Sequence, residues 1–158
     1  MIQKQKDNRE QHRLLRNFNR LFKPKTILEV GSGYGRFAGK WKDALLYVGI
    51  DQNQKHLKHH GYPNRILMQA PHFGFYKRFD LVYSCTALML NKDAKKTILE
   101  MGKLSRKYVL FLESRRNLGW AFKHPYEKFL EPEFSLEEKI NLRKGKSYLS
   151  LWIFKRHS

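Results

Sequence analysis

Leu28-Glu29-Val30-Gly31-Ser32-Gly33-Tyr34-Gly35 decides the reading of this chain, because an apolar stretch runs straight into three alternating glycines. Thr26–Val30 has the composition of a buried strand. Glycines at 31, 33 and 35 let the backbone turn tightly and approach a ligand with no Cβ in the way. Arg36–Leu45, with Phe37 and Trp41 inward, is predicted as the following helix, and amides at its start can face an anionic group. Sixteen residues beyond Gly35, after a second predicted strand over Leu46–Ile50, stands Asp51. A carboxylate there is placed to accept from both ribose hydroxyls of an adenosine-containing ligand. The dinucleotide pattern G-x-G-x-x-G fails, since counted from Gly31 its third glycine would fall on Arg36.

Outward from this loop the chain alternates strand and helix. A helix over Asn53–His60 is expected to stop at Gly61, and Arg65–Gln69 reads as a third strand before the irregular Pro71–Arg78. Leu81–Cys85 is a fourth strand, Asp93–Leu104 a helix with Ile98, Met101 and Leu104 on one side, and Tyr108–Glu113 a fifth strand. Such alternation implies a parallel sheet covered on both faces. Phe134–Leu142 and Ser147–Phe154 then read as a hairpin turning at Arg143-Lys144-Gly145-Lys146. An antiparallel hairpin therefore closes an otherwise parallel sheet.

Ahead of the first strand, Leu14, Leu15, Phe18, Leu21 and Phe22 recur at helical spacing, while Arg9, Arg13, Arg16 and Arg20 form a stripe elsewhere. Pro24 ends this segment. Docking through the apolar face explains it, and the arginines could still meet a polyanion. At 158 residues the expectation is a single domain over 1–158, with a basic amphipathic helix over 1–24 and a core over 26–158. The net charge is +18, distributed as +6 over 1–25, +5 over 26–100 and +7 over 101–158. This field attracts nucleic acid, anionic membrane surfaces or phosphorylated substrates, but it speaks to association and not to chemistry. The longest apolar runs, such as Tyr108–Leu112, fall far short of a membrane span, which takes about 20 residues. With a polar N-terminus and the lone Cys85, the sequence reads as that of a cytoplasmic chain without a disulfide framework or a cysteine-built zinc site.

The pattern E-x-G-x-G-x-G, with an acid after the second strand, resembles the class I S-adenosylmethionine-dependent methyltransferases. Phe79-Asp80-Leu81-Val82-Tyr83-Ser84 is similar to the family's fourth strand. Glu100–Ser105 looks like the helix end before strand five, so the likeness to the compact type 11 branch runs from about Thr26 onward. It implies a Rossmann-like, doubly wound α/β sheet of seven strands in the order 3-2-1-4-5-7-6, the last antiparallel. It also implies S-adenosyl-L-methionine as cofactor, with Glu29, Gly31, Ser32, Gly33 and Gly35 at its methionine moiety and Asp51 on the ribose. Gln52 would lie beside the adenine. Met68-Gln69-Ala70 stands where the family usually has G-D-A, so the Gln69 amide replaces a carboxylate as acceptor from the adenine amino group. Ser84 and Cys85 match the end of strand four, where Cys85 is a candidate nucleophile or simply a buried thiol.

Methyl transfer from a sulfonium needs alignment above all, and a general base only when the acceptor must lose a proton. Glu113, Ser114 and Arg115 follow strand five on the expected substrate side. His124 and Tyr126 resemble an H-x-Y element of some small members, giving a base and a wall or hydrogen-bond partner. The same stretch equally fits a packed segment before the Glu127–Leu130 turn. Related sequences often carry His after a Leu-Met pair, where this chain has Leu88-Met89-Leu90. Ser84-Cys85-Thr86-Ala87 lacks the proline-bearing signatures of exocyclic-amine and cytosine-C5 enzymes. The expectation is methyl transfer to a small or anionic acceptor; RNA or DNA methylation guided by the basic surface, or a non-catalytic cofactor-binding module, are the alternatives. His56 and His60 lie one helical turn apart, but a solvated helix end is preferred over a metal site. Asp80, at the far end of strand four, reads as structural.

Overall fold

A computed structural model of the chain describes residues 2–88, 91–116, 125–144 and 147–158. The first helix, α1 (Ile2–Phe22), leads into β1 (Thr26–Val30), a 3-10 turn (Ala38–Trp41), β2 (Leu46–Asp51), α2 (Gln54–Lys58) and β3 (Arg65–Leu67). There follow β4 (Phe79–Cys85), α3 (Ala94–Leu104), β5 (Ser105–Arg116), α4 (Tyr126–Leu130), β6 (Phe134–Lys144) and β7 (Ser147–Arg156). Among the described residues the strands form one sheet, ordered β3-β2-β1-β4-β5-β7-β6. β1 through β5 pair in parallel, whereas β7 runs antiparallel to both β5 and β6. The expected order and the reversed last strand are both present.

Alternation along each strand sends side chains to two separate cores. Leu28, Val82, Phe111 and Trp152 face α3 and α4, together with Ile98, Met101 and Leu130. Ile27, Leu81, Leu110 and Leu151 face the other way, onto Leu15 and Phe18 of α1 and onto Trp41. α1 is amphipathic as its spacing requires, although Leu21 is 66% exposed and contributes nothing to the buried face. Its far end packs Phe22 on Tyr108 at the start of β5, with ring centroids 4.9 Å apart. Nearer its middle, His12 meets Phe37 at 4.8 Å. The arginine stripe therefore rides on the face opposite Tyr126 and α4.

Several local expectations shorten. The helix predicted over Arg36–Leu45 is only the four-residue 3-10 turn, closed by Lys40 N to Phe37 O at 2.8 Å and Ala44 N to Trp41 O at 2.9 Å. Gly35 and Gly39 flank or interrupt that segment, and the tighter turn still buries Phe37 and Trp41. α2 begins one residue after Asn53, whose side chain accepts from the Lys55 amide at 2.9 Å as an N-cap. It ends at Lys58, and the His59 amide bonds back, so Gly61 is not its left-handed cap. β3 stops at Leu67 because it lies on the sheet edge with all three residues exposed. β5 is longer than read, since pairing with β7 carries it to Arg116. Of the predicted hairpin turn, Arg143 and Lys144 are still strand, while 145 and 146 lie outside the described residues.

Asp80 ties the amino ends of three strands together. Its Oδ2 accepts from the Lys25 amide at 2.9 Å and the Thr26 amide at 3.3 Å, and its Oδ1 accepts from Arg106 Nη2 at 2.8 Å. Its own amide donates to Thr26 Oγ1 at 2.9 Å. Burial pushes the carboxyl up, but the Lys25 amide, Arg106 and Lys107 outweigh it and leave the group below its ordinary range. The structural role expected of Asp80 is thus its role. Asp80→Ala leaves two amides and a guanidinium without their acceptor, and urea unfolding should show a loss of about 3 kcal/mol. A loss below about 1 kcal/mol would contradict this assignment.

Candidate active site

The glycine loop is fastened to β2 before it does anything else. Gly31 and Ser32 both donate their amides to the Ile50 carbonyl at 2.9 Å. Gly31 has φ +75° and a Cβ there would stand 2.3 Å from the Ala87 Cβ, so only glycine fits. Gly33 has φ +56°, and nothing lies within 4 Å of where a Cβ would stand, leaving its backbone open to an approaching group. Gly35 answers a different need: a Cβ there would meet the His60 ring at 2.6 Å, and Gly35 is not part of the cleft wall. His60 is buried beneath the loop and stacks near Tyr47, which corrects the expectation of a solvated helix end. The short α2 directs it inward because its amide closes the turn onto Leu57.

Glu29 lies under the loop and is almost wholly buried. It accepts from the Tyr47 hydroxyl and also bonds Tyr83, whose oxygen accepts from Trp41 Nε1 at 2.9 Å. Burial pushes its carboxyl up to about 7, against the opposing pull of those hydroxyls. Two tyrosines and a tryptophan from three elements are thereby locked to the carboxyl end of β1.

Between the loop, the ends of β2 and β4, and residues 68–70 opens a cleft of about 700 Å³. That volume lies in the range of small-molecule sites, roughly 300–1,000 Å³. Its wall includes Glu29, Gly31, Ser32, Gly33, Asp51 and Gln52, as expected, and also Gln69, Ala70 and Cys85. Val30, Ile50, Met68 and Leu88 supply an apolar lining suited to a flat heterocycle. Asp51 Oδ2 accepts from the Gly33 amide at 2.9 Å and Oδ1 from the Asn53 amide at 2.8 Å. Each oxygen keeps a further lone pair for ligand hydroxyls. Ser32 Oγ is buried with no hydrogen-bond partner among the described residues and packs beneath the loop, where a Cβ on Gly49 would stand 2.8 Å from it. An adenosine bearing an amino-acid tail matches this set of donors, acceptors and apolar surface.

Other expected site residues lie elsewhere. Ser84 is buried on the sheet face toward α3 and does not line the cleft, because alternation along β4 turns it away while Cys85 turns in. Burial pushes the Cys85 thiol well up, which suits packing and not nucleophilic attack. Tyr126 is not a cleft wall: its ring stacks on Phe111 at 4.3 Å and leans on Trp152 at 5.0 Å, within the α3–α4 core. His124 lies outside the described residues, as do Met89 and Leu90. Among the described residues no group of three His, Cys, Asp or Glu is arranged to hold a metal.

The structure adds residues that the motif did not disclose. Arg36 enters the wall with its guanidinium 4.3 Å from the Phe37 ring centre. Asn53 and His56 join from the start of α2, His56 Nδ1 lying 3.5 Å from Asp51. An Asn at the start of a predicted helix is a capping signal that could have found Asn53, whereas His56 stands out in the sequence only as a candidate metal ligand. Thr86 closes the floor at φ +57°, an uncommon conformation for a β-branched residue, with its hydroxyl on the Cys85 carbonyl at 2.8 Å. No local pattern announces that strain.

The strand order together with the glycine-lined cleft defines the fold of the class I S-adenosylmethionine-dependent methyltransferases. Among solved structures, the N-methyltransferase NodS from Bradyrhizobium japonicum superposes with a TM-score of 0.79 at 17% identity, over 96% of this chain and 97% of that one. Magnesium protoporphyrin IX methyltransferase ChlM from Synechocystis, solved with bound SAM, gives 0.70 at 15% identity, over 84% and 70%. A TehB-like SAM-dependent methyltransferase from Corynebacterium glutamicum gives 0.70 at 16% identity, over 90% and 86%. No protein-family model and no curated protein sequence matches the chain.

The buried acids set a pH dependence. Unfolded, Glu29 and Glu113 ionise near pH 4.5; folded, burial lets them keep their protons to about 7 and about 8. Between those limits the folded state binds more protons, so stability falls as pH rises. His12 and His60, lowered first by burial, act oppositely only below about pH 6.5. From pH 7 to 8 the decline should amount to about 1 kcal/mol and come chiefly from Glu113. Denaturant unfolding at the two pH values should show it, with Glu113→Gln markedly flatter; equal slopes in both proteins would contradict the buried-acid account.

Proposed function

We propose that the chain is an S-adenosylmethionine-dependent methyltransferase, working as one catalytic unit on a small or anionic acceptor. The observation that carries this reading is Asp51, held at the end of β2 by the Gly33 and Asn53 amides while facing the same cleft as the glycine loop. Asp51 would take the ribose hydroxyls, and the open backbone at Gly33 would let the amino-acid end approach the loop. Gln52, Gln69 and Ala70 would border the adenine, with Met68 and Ile50 against its faces. When bound, the sulfonium cofactor supplies the methyl group. The chain has to hold the acceptor in line and exclude water.

Cys85, Thr86 and Ala87 border the end of the cleft nearest β5, the side from which an acceptor would enter. His124, which lies outside the described residues, remains a proposed base, while Tyr126 belongs to the α3–α4 core. The neighbouring structures carry methyltransferase names, one of them an N-methyltransferase. That agrees with the reading at the level of the fold.

A second reading, methylation of RNA or DNA, draws on one feature. Lys40, Arg36 and Arg16 all bear on His12, whose pKa they lower after the larger effect of burial, and Arg36 reaches the cleft. The arginine stripe itself rides on the face away from α4, which lends a polyanionic acceptor no support. A non-catalytic module would bind the cofactor and turn over no acceptor.

Calorimetric titration with S-adenosylhomocysteine tests the site. Asp51→Ala should weaken binding about tenfold or more, since hydrogen bonds to a charged group contribute roughly 1.5–3 kcal/mol each. Unchanged affinity would remove Asp51 from the site.

A further inference from the structure

Glu113 is the one fully buried carboxyl whose two oxygens both lack a hydrogen-bond partner among the described residues. It sits near the carboxyl end of β5, where an open α/β sheet presents its ligand groups. The Thr86 amide donates to the Leu112 carbonyl at 2.9 Å, so Glu113 lies immediately beside the strained Thr86 at the cleft floor. Alternation puts it on the α3–α4 face with Phe111, on the same side as Ser84, whose hydroxyl also lacks a partner among the described residues. Cys85 of β4 and Tyr126 of α4 feel its charge. Across the strand pair, Ser150 of β7 gives its hydroxyl to Asn141 at 2.7 Å and not to Glu113.

A buried acid without a partner lowers stability, because desolvation is not repaid by any internal donor. Placed beside the acceptor end of a cleft, it suits a ligand that brings its own donors. A positively charged one gains most, since a charge pair is strong where water is excluded. Glu113 does not itself line the cleft but lies just behind Thr86, so a ligand group has to reach past that residue to meet it.

Resting on the methyltransferase reading, we propose that Glu113 binds the acceptor and that the acceptor is a basic amine. Glu113 rests protonated at neutral pH, so it gives its proton to solvent as the ammonium docks, and the resulting carboxylate accepts the N–H bonds. One N–H bond then breaks, its electron pair stays on nitrogen, and the proton passes to a Glu113 oxygen to give a carboxylic acid and a neutral amine. That lone pair is the nucleophile. The match of acidities is close: burial pushes Glu113 up to about 8, against an alkylammonium near 10. A hydroxyl acceptor would need a far stronger base.

The test titrates benzylamine into the chain with and without saturating S-adenosylhomocysteine, with benzyl alcohol and phenylacetate as controls. Binding is read by calorimetry and by the 13C-carboxyl NMR signal that disappears in Glu113→Gln. Benzylamine should move the Glu113 signal and lower its apparent pKa, and the controls should not. Glu113→Gln should weaken benzylamine about tenfold or more. It should also keep S-adenosylhomocysteine affinity within about twofold and leave Tm unchanged or raised, as for a group retained at the expense of stability. An unmoved signal, equal amine binding in Glu113→Gln, or a Tm lowered with amine binding intact overturns the proposal. Absence of S-adenosylhomocysteine binding by the unmodified chain overturns instead the reading beneath it, whatever the amine does.

Discussion

The site depends on one small knot: the Ile50 carbonyl accepting both the Gly31 and Ser32 amides at 2.9 Å. It fixes the loop after β1 to the end of β2, where the next residue is Asp51. From there the Gly33 amide reaches back to Asp51 and closes the ring. The sheet order explains why a cleft follows. β1 has β2 on one side and β4 on the other, so successive crossovers leave it in opposite directions and a crevice opens at their carboxyl ends. Glu29, Tyr47, Tyr83 and Trp41 hold the three strands from beneath. Each buried polar group in that network has a partner, which gives it a rigid geometry instead of an unpaired cost.

The chain separates its polar tasks by depth. Asp80 at the amino edge is surrounded by donors and stays ionised, serving the fold. At the carboxyl edge Asp51 is partly satisfied and keeps lone pairs for a ligand. Glu113 finds no donor among the described residues. From one end of the sheet to the other, hydrogen-bond satisfaction falls as the proposed chemistry is approached, and that gradient is what stability–function trade-offs look like in a single chain.

Much of this was legible before any fold was known. The spacing Glu29-x-Gly31-x-Gly33-x-Gly35 and the position of Asp51 carry the loop and the cleft, while the sheet order is what the family resemblance resting on them implies. Alternation in Phe134–Leu142 and Ser147–Phe154 was enough for the reversed last strand. What escaped were consequences of tertiary packing. Ser84 and Cys85 are neighbours in sequence, yet the pleat sends only Cys85 to the cleft. His60 looks like a polar helix end until Gly35 and Gly49 are seen making room for its ring. Tyr126 belongs to an aromatic stack whose other members, Phe111 and Trp152, come from distant strands. The net charge of +18, the loudest feature of the composition, turned out to say least about the chemistry.

The central claim is that the cleft receives an adenosyl sulfonium cofactor along the Gly31–Asp51 knot. A crystal structure grown with S-adenosylhomocysteine tests it most directly. The account predicts ribose hydroxyls on the Asp51 carboxylate, the amino-acid end over Gly31–Gly33, and the sulfur toward Cys85 and Ala87. Density for the ligand elsewhere, or a ribose that does not touch Asp51, would contradict it.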